Sequence, residues 1–541
     1  MTSIGDSFIV RNAHTDKIVM FIKSRILLND KEYNLCTNNP CSLLEVIEQS
    51  GTITDAPCAG MGKCGKCKVM VYGNLQPDDL ETELLTESEI KSGIRLACRK
   101  RIIPDGITIK IKTGEKPSLR TIYSITPSDI AVAIDLGTTT ILISLVNLLD
   151  NNLIAVHSVP NPQRIYGADV ISRIKSGLDG STLLKMKYVT VNTIANGIEK
   201  LIKDIGIDRD RIRSIYIAGN TTMEHIIAGM DLSGLAKAPY KPAFINMLVL
   251  TELKTKLDIK IDDIYLFPLI AGFVGGDTIA SILATDMDIS EEPVALIDIG
   301  TNAEIVVGNR DNIYVSSSPA GPAFEGGQIK HGMRAQDGAI QNIVINDDSI
   351  SLDVKGNTEP EGISGSGLIR IISELTKSKI ITESGELLDP GHIANNLAIR
   401  SVHKNGEQAF MLYRSLNNEV YLYQSDIRAL QLAKSGIAAG LKTLITRSGI
   451  KPSKLFLAGA FGNYLNPEDL VLIGMLPLSL ASKTYFIGDS VISGLKRFIL
   501  NEPEVDIEKL LSKIKHIELA QEPSFNKEFI SMLELKPTNY I

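Results

Sequence analysis

The chain has 541 residues, 44% hydrophobic and 22% charged, with 56 Lys plus Arg against 63 Asp plus Glu for a net charge of −7. That composition excludes an extended disordered chain and a collagen-like repeat, and the negative balance excludes a global basic field for nucleic acid or an anionic membrane. The opening residues carry no basic segment followed by a signal-length apolar run, and no stretch of about 18 apolar residues occurs, so a cytoplasmic protein with no membrane and no nucleic-acid partner is expected. Six cysteines, Cys36, Cys41, Cys58, Cys64, Cys67 and Cys98, all lie in the first fifth of the chain. A disulfide framework would not stop there in a large cytosolic chain, so the first part is expected to use thiols for another purpose.

In chain order, residues 1–15 read as an N-terminal extension. Residues 16–112 combine short strand-like stretches (IVMFIK, KVMVYG, GITIKIK), one helix (SLLEVIEQSG) and a Cys-rich loop (PCAGMGKCGKCK), which makes a small, mostly β unit. Residues 113–129 mix Gly, Pro, Ser, Thr and charge without periodicity and read as a linker. From residue 130 apolar strands alternate with helical patterns, an α/β signature. That part echoes itself. IAVAIDLGTTTILISLV (130–146) resembles PVALIDIGTNAEIVVG (293–308), and IYIAGNTTMEHII (215–227) resembles LFLAGAFGNYLNP (455–467). Two related lobes are implied, the first expected over 130–214 and the second within 215–541, with a large insertion in the second copy.

Cys58, Cys64 and Cys67 follow C-x5-C-x2-C spacing, and Cys98 lies further on in RLACRKR. Plant-type ferredoxins hold a 2Fe-2S cluster with three closely spaced thiolates on one loop and a distant fourth. The longer first gap resembles the adrenodoxin-like branch of that family. Gly60, Gly62 and Gly65 would let the loop bend around inorganic sulfide and aim backbone N–H groups at it. The same stretch mimics a dinucleotide fingerprint, a P-loop and a redox C-x-x-C, none of them in context: Cys67 stands where a P-loop needs Ser or Thr, and no βαβ unit surrounds it. A structural zinc site would use the same thiolates, although zinc knuckles present two C-x2-C pairs and Cys98 has no such neighbour. Cys36 and Cys41 read as buried or idle thiols. Lys63, Lys66 and Lys68 flank the loop, and Arg95, Arg99, Lys100 and Arg101 flank Cys98. This charge either raises the cluster's potential and favours an acidic partner, or is a solvated face balanced by Asp78, Asp79, Glu81, Glu83, Glu87 and Glu89.

In the α/β part, Asp135 and Asp298 each end an apolar strand. Gly137 and Gly300 then allow backbone to approach a phosphate, with the hydroxyls of Thr138, Thr139 and Thr301 in reach. A carboxylate so placed commonly holds magnesium through water. One D-x-G-T turn is weak evidence, since hairpins use Asp and Gly for geometry alone. Two in repeated lobes, with a later strand ending LFLAGAFGN, resemble the actin, hexokinase and heat-shock-chaperone ATPase superfamily. The resemblance implies Asp135 to Thr139 as the first phosphate loop, Asp298 to Glu304, including Asn302, as the second, and Gly459, Ala460 and Phe461 as the adenosine turn. That turn reads Gly-Ala where the superfamily often has Gly-Gly. Asp135, Asp298 and Glu304 are the candidates for catalysis, with no water-activating residue assigned. SSPAGPAFEGGQIKHGMRA (317–335) offers Gly321, Pro322 and Glu325 to the nucleotide pocket, and EGISGSGLIRII (361–372) places small residues at a helix N-terminus; either reads equally as a close helix–strand crossing. In NPQRIYGADVISRI (161–174), Asp169 and Arg173 fall on one helical face and are expected to pair. Seven scattered histidines show no metal-ligand spacing.

The cluster loop with IDLGTTT, NPQRIYGADVISRI, AGNTTMEH, AGPAFEGG, GISGSGL and AGAFGNYL resembles, over nearly the whole chain, the ATP-dependent reductive activators of corrinoid proteins. The resemblance implies a multidomain fold: a β-grasp ferredoxin-like α+β domain, then duplicated α/β actin-like (ribonuclease H-like) ATPase lobes. It implies a 2Fe-2S cluster, ATP and Mg2+ as cofactors, a low-potential electron donor and a homodimer. The implied reaction is transfer of one electron to the Co(II) corrinoid of a methyltransferase or O-demethylase corrinoid protein, restoring Co(I). If the cluster lies about 100 to 200 mV above that couple, the transfer is uphill by roughly 2 to 5 kcal/mol, which nucleotide binding and hydrolysis between the lobes would offset. Three other readings stay open. They are an activator of a radical enzyme, whose cluster cysteines would sit inside the ATPase fold; a hexokinase-type kinase; and an iron-sulfur electron carrier whose ATP site only regulates docking.

Overall fold

The computed structural model describes residues 2–4, 7–11, 18–28, 31–37, 43–44, 65, 67–72, 76–99, 108–110 and 119–121. From 129 onward it describes all residues except 258–260, 262, 347–348, 417, 460–464 and 502–503. Strands β1 (Thr2–Ile4), β2 (Ser7–Arg11), β3 (Ile18–Leu28) and β4 (Lys31–Thr37) form one sheet in that order. β1 and β2 fall in the stretch expected to be an extension, yet β2 pairs antiparallel along β3. Of the expected helix SLLEVIEQSG, Leu43 and Leu44 are described, and both are helical and buried. β5 (Lys68–Tyr72) is followed by helix α1 (Asp79–Leu84) and lies between β6 (Ile94–Leu96) and β7 (Thr108–Lys110). β8 (Leu119–Thr121), within the expected linker, pairs with a strand of the first lobe.

That lobe contains β9 (Ile130–Leu136), β10 (Thr140–Asn147), β11 (Leu153–Pro160), α2 (Val170–Gly177), α3 (Gly180–Ile205), β12 (Ile212–Gly219), α4 (Thr221–Ala228), β13 (Leu248–Val249), β14 (Ile264–Leu266) and α5 (Gly276–Ala284). The second contains β15 (Val294–Ile299), β16 (Asn302–Gly308) and β17 (Ile313–Pro319). The insertion then supplies β18 (Ala339–Asn346), β19 (Ser349–Val354), β20 (Gly362–Ile363), α6 (Gly365–Lys377), β21 (Ser401–Lys404), β22 (Glu407–Arg414) and β23 (Glu419–Tyr423). α7 (Gln424–Ser448), β24 (Lys454–Ala458), β25 (Thr484–Gly488), α8 (Ser490–Leu500) and β26 (Ile514–His516) complete it.

The two large sheets run β13–β14–β12–β9–β10–β11–β8 and β25–β24–β15–β16–β17–β26. Five strands of each, β14–β12–β9–β10–β11 and β25–β24–β15–β16–β17, have the same order. In each, the second strand of the hairpin is antiparallel and the two later strands are parallel to the first. This is a ribonuclease H-like unit built twice, as the internal echo predicts. β9 reads as an almost unbroken apolar run because helices cover both faces of a central strand. The division expected at 214/215 falls inside β12, which pairs along the whole of β9, and β14 adds beyond it. Parallel strands meet across long crossovers, so the partner of β9 lies some eighty residues downstream and was separable from it only by composition. No helix among the described residues is long and apolar enough to cross a membrane.

The lobes meet along α5 and α8. An apolar cluster joins Ala131 and Ala133 of β9, Ile279 and Leu283 of α5, Leu296 and Val306 of the second sheet, and Val491 and Leu495 of α8. The helix backbones touch: a Cβ on Gly494 would lie 1.7 Å from the Ala280 carbonyl oxygen, and the Ser281 and Ser490 hydroxyls are 2.8 Å apart. Arg497 fixes the far end, donating to both carboxylate oxygens of Asp288 at 2.6 and 2.8 Å. Gly494→Ala is therefore expected to destabilise the protein by roughly 1–3 kcal/mol through overpacking. Calorimetric unfolding should show a lowered midpoint, whereas Gly180→Ala, whose Cβ would meet nothing within 4 Å, stays at the parent value.

Candidate functional site

At the thiol end, Cys67 and Cys98 approach with their sulfurs 3.3 Å apart. Backbone pairing brings them there. Lys68 is in register with Leu96, Ala97 N–H donates to the Cys67 carbonyl, and Arg99 N–H closes a turn on the Leu96 carbonyl. Glu81, fully buried, accepts from Leu96 N–H at 2.7 Å while its other oxygen caps α1 at Asp78 N–H, so a carboxylate pins the strand that carries Cys98. Gly65, two residues before Cys67, has φ of 64°, a turn conformation that suits glycine. Cys36 lies in β4, while Cys41, Cys58 and Cys64 lie outside the described residues, as do Lys63, Lys66, Lys100 and Arg101. The described basic residues are engaged locally: Lys68 with Glu89 at 2.7 Å, Arg99 with Asp78 at 3.0 Å, and Arg95 with the Ile90 and Ile94 carbonyls. For Lys68 and Arg99 the balanced-surface reading holds, whereas Arg95 is buried and donates to backbone carbonyls. Sulfur donors from a loop and a separate turn fit an iron-sulfur cluster rather than a hard cation.

The second site lies between the lobes. Asp135 ends β9 beside Ala218, and Asp298 ends β15 beside Ala458; each neighbouring strand then stops at a glycine, Gly219 or Gly459. A Cβ on Gly219 would sit 2.7 Å from the Leu136 carbonyl and one on Gly459 2.4 Å from that of Ile299, so both strands close on the hairpins with no room for a side chain. Asn161 holds the first hairpin twice: its N–H donates to the Thr139 carbonyl and its amide to that of Gly137 at 2.8 Å. Asn220 donates to the Thr138 hydroxyl at 2.8 Å. Gly300 N–H closes the second hairpin on the Asn302 carbonyl. Glu325 joins the two hairpins, accepting from Thr139 Oγ1 at 3.2 Å and from Thr301 Oγ1 at 2.7 Å.

Two further carboxylates complete the cleft, and the sequence reading passed over both. Asp277 is in the first turn of α5 and Asp489 immediately precedes α8. Their signal was present in the sequence as a further internal echo, GDTIAS (276–281) against GDSVIS (488–493). Burial, with the charges of Asp277, Asp298 and Asp489, holds Asp135 well above the usual carboxylate range. Burial and the charges of Asp277 and Asp489 push Asp298 up to about 7. Burial raises Asp277 to about 6, against the hydrogen bonds from Thr278. Glu304, opposite Asp298 in the hairpin register and accepting from Ser317 at 3.3 Å, is raised by burial and by Asp277 and Asp298. An oxygen-only set of carboxylates that raise one another fits a site completed by a hard divalent cation, and the flanking hydroxyls fit phosphate.

Gly321 and Pro322 begin the short turn that ends in Glu325. Ala460 and Phe461 lie outside the described residues; Gly459 is in place with φ of 98°. The helix start at GISGSGL serves packing. Ser364 caps α6 through Gly367 N–H, and a Cβ on Gly365 would lie 1.6 Å from the Phe324 carbonyl. The expected Asp169–Arg173 pair takes another form. Asp169 caps α2 by accepting from Ser172 N–H at 2.7 Å, and Arg173 turns inward, fully buried, to the Gly167 carbonyl at 2.9 Å and Met223 Sδ. Capping drew the carboxylate to the helix end, and burial lowers Arg173 to about 9.

Two ribonuclease H-like lobes, each presenting a D-x-G-T hairpin to one cleft and joined along a crossed helix pair, define an ATPase of the actin and hexokinase type, here preceded by a thiol-bearing module. Comparison with known proteins makes this specific. Family models match residues 292–540 ("C-terminal domain of RACo the ASKHA domain"), 130–290 ("RACo middle region") and 26–102 ("2Fe-2S iron-sulfur cluster binding domain"). The chain is 33% identical over 414 residues to the corrinoid activation enzyme RamQ of Eubacterium limosum, covering 74% of this chain and 69% of that one. It is 25% identical over 441 residues to the Co(II) methylated amine-specific corrinoid protein reductase of Methanosarcina barkeri, covering 74% and 76%. A solved structure described as a reductive activator for corrinoid, iron-sulfur protein superposes with a TM-score of 0.67 at 25% identity, over 95% of this chain and 98% of the other. The chain belongs to the RACo family, with an iron-sulfur cluster domain and an ATP-binding ASKHA domain.

Because Asp298 is protonated more readily in the folded than in the unfolded chain, its contribution is complete below its unfolded pKa and is lost as pH rises toward about 7. Stability without nucleotide should therefore decline between about pH 5 and about pH 7. Asp298→Asn is expected to lessen that decline, leaving the part due to Asp277, and to abolish binding of a magnesium–ATP analogue. Thermal unfolding across the range, with and without analogue, checks both.

Proposed function

We propose that this protein is a cytoplasmic, ATP-dependent reductive activator. It passes one electron to the Co(II) corrinoid of a methyltransferase or O-demethylase corrinoid protein and restores Co(I). The observation that carries the reading is the joining, in one chain, of the Cys67–Cys98 thiol pair with the duplicated carboxylate-and-hydroxyl cleft. Relatives named as a corrinoid activation enzyme and a corrinoid protein reductase support the choice of substrate.

Cys58, Cys64, Cys67 and Cys98 would hold a 2Fe-2S cluster, which when bound accepts and gives single electrons. Asp135 and Asp298, with Asp277 and Asp489, would hold Mg2+, in part through water. Thr138, Thr139, Thr301 and Asn302 would offer donors to phosphate, Gly137 and Gly300 keep backbone close, and Glu304, Gly321, Pro322 and Glu325 line the same cleft. Gly459, Ala460 and Phe461 would form the adenosine turn. Closure of the lobes about the α5–α8 crossing would tighten the hairpins on the nucleotide, and hydrolysis would release them. That cycle, used on the docked corrinoid protein, offsets an uphill electron transfer. We infer an electron-entry module over 16–112, lobes separated between α5 and β15, a low-potential donor, and a homodimer.

The test follows Co(II) to Co(I) absorbance in a corrinoid protein with a chemical reductant, with and without ATP. The parent is expected to produce Co(I) only with ATP. Cys98→Ser is expected to produce none while binding an ATP analogue as tightly as the parent. Absence of ATP-dependent Co(I) with the parent overturns the reading, and loss of nucleotide binding in Cys98→Ser overturns the independence of the two sites.

A further inference from the structure

We propose that Glu325 is the residue that positions the attacking water for ATP hydrolysis, an inference that rests on the two hairpins being the phosphate site. Glu325 ends a short 3-10 turn (Pro322–Glu325). That turn is fixed from behind, because the Phe324 carbonyl sits against Gly365 at the start of α6 where no Cβ would fit. The carboxylate is thus delivered from rigid backbone. Its two oxygens divide between the lobes, one taking the Thr139 hydroxyl at 3.2 Å and the other the Thr301 hydroxyl at 2.7 Å. The carboxylates of Asp135, Asp277, Asp298 and Asp489 act on one another at the strand and helix ends. Glu325 is instead, with Asp169 and Arg164, one of the charges that act on Arg173, the fully buried cation of α2. The cleft therefore has a cation-holding group of carboxylates at the strand and helix ends and a separate carboxylate spanning the two hairpin hydroxyls.

Each threonine hydroxyl has one proton to give. When phosphates lie between the hairpins, those protons turn to phosphoryl oxygens, and Glu325 loses both donors while facing a second anion. A carboxylate and a phosphoryl group share such a space with a cation or a proton donor between them, and here the cation would be held by the other four carboxylates. A water molecule satisfies both sides, donating one proton to the carboxylate and directing a lone pair at phosphorus. In the step, the bond from water oxygen to phosphorus forms and the bond from phosphorus to the leaving oxygen of ADP breaks. The water proton passes to the Glu325 carboxylate and then to solvent, so ATP and water give ADP, phosphate and a proton.

The test uses the full-length protein with its cluster in place. In Glu325→Gln, single-turnover hydrolysis of magnesium–ATP is expected to fall at least about tenfold. Affinity for a non-hydrolysable analogue is expected to be unchanged or tighter, because a competing anion has been removed, and the thermal midpoint without nucleotide should stay near the parent's. Glu325→Asp, which keeps the carboxylate, should recover part of the turnover. Parent-like hydrolysis in Glu325→Gln overturns the proposal, and so does a parallel loss of analogue affinity, which would make Glu325 a binding residue. Failure of the parent itself to bind the analogue would instead overturn the phosphate-site reading beneath it.

Discussion

The structure is organised around an electrostatic constraint. Duplicating a strand–turn–strand unit and facing the copies brings Asp135 and Asp298 into one cleft, and the helices that join the lobes add Asp277 and Asp489. Like charges so confined raise one another's proton affinity, and burial does most of the raising. A divalent cation and a polyphosphate bound there would relieve that repulsion. The cleft's other features suit such ligands: hydroxyls on both hairpins, strands ending in glycine so backbone can close on the turns, and Asn161 holding the first turn in shape.

The same helices that carry Asp277 and Asp489 also cross in backbone contact at Ala280 and Gly494. Carboxylates at the cleft and a tight crossing behind it belong to the same two elements. Neutralising the charges at one end would therefore act on the same two helices that cross at the other. A route of that kind from nucleotide to lobe angle would need only rigid helices. The thiol end is built differently, by β pairing and one buried carboxylate, Glu81, with chemistry suited to sulfur and electrons.

Much of this was legible in the sequence because chemistry fixes residue type and spacing. The thiol spacing and the two D-x-G-T turns after apolar strands pointed to both places, and among the described residues the structure brings Cys67 to Cys98 and one hairpin to the other. What escaped was set by partners far apart in the chain. The first lobe's extent depends on β12 pairing parallel with β9, which local composition does not encode. Asp277 and Asp489 were hidden by ordinary helix beginnings, and only alignment of GDTIAS with GDSVIS exposes them. Asp169 and Arg173 have ion-pair spacing, but a helix cap and a buried carbonyl outcompeted the pair. The small residues of GISGSGL proved to be a packing device, which in turn holds Glu325 in place.

On this account the protonated cleft carboxylates release protons to solvent when a magnesium–nucleotide binds. Calorimetric titration of a magnesium–ATP analogue into the full-length protein at about pH 6.5, in two buffers of different ionisation enthalpy, measures the protons exchanged on binding. The account predicts a net release of about one proton or more, with the share from Asp277 and Asp298 shrinking as pH rises above the range in which they titrate. Tight binding with no proton released at that pH would contradict it, because the cation would then be held by groups other than these carboxylates.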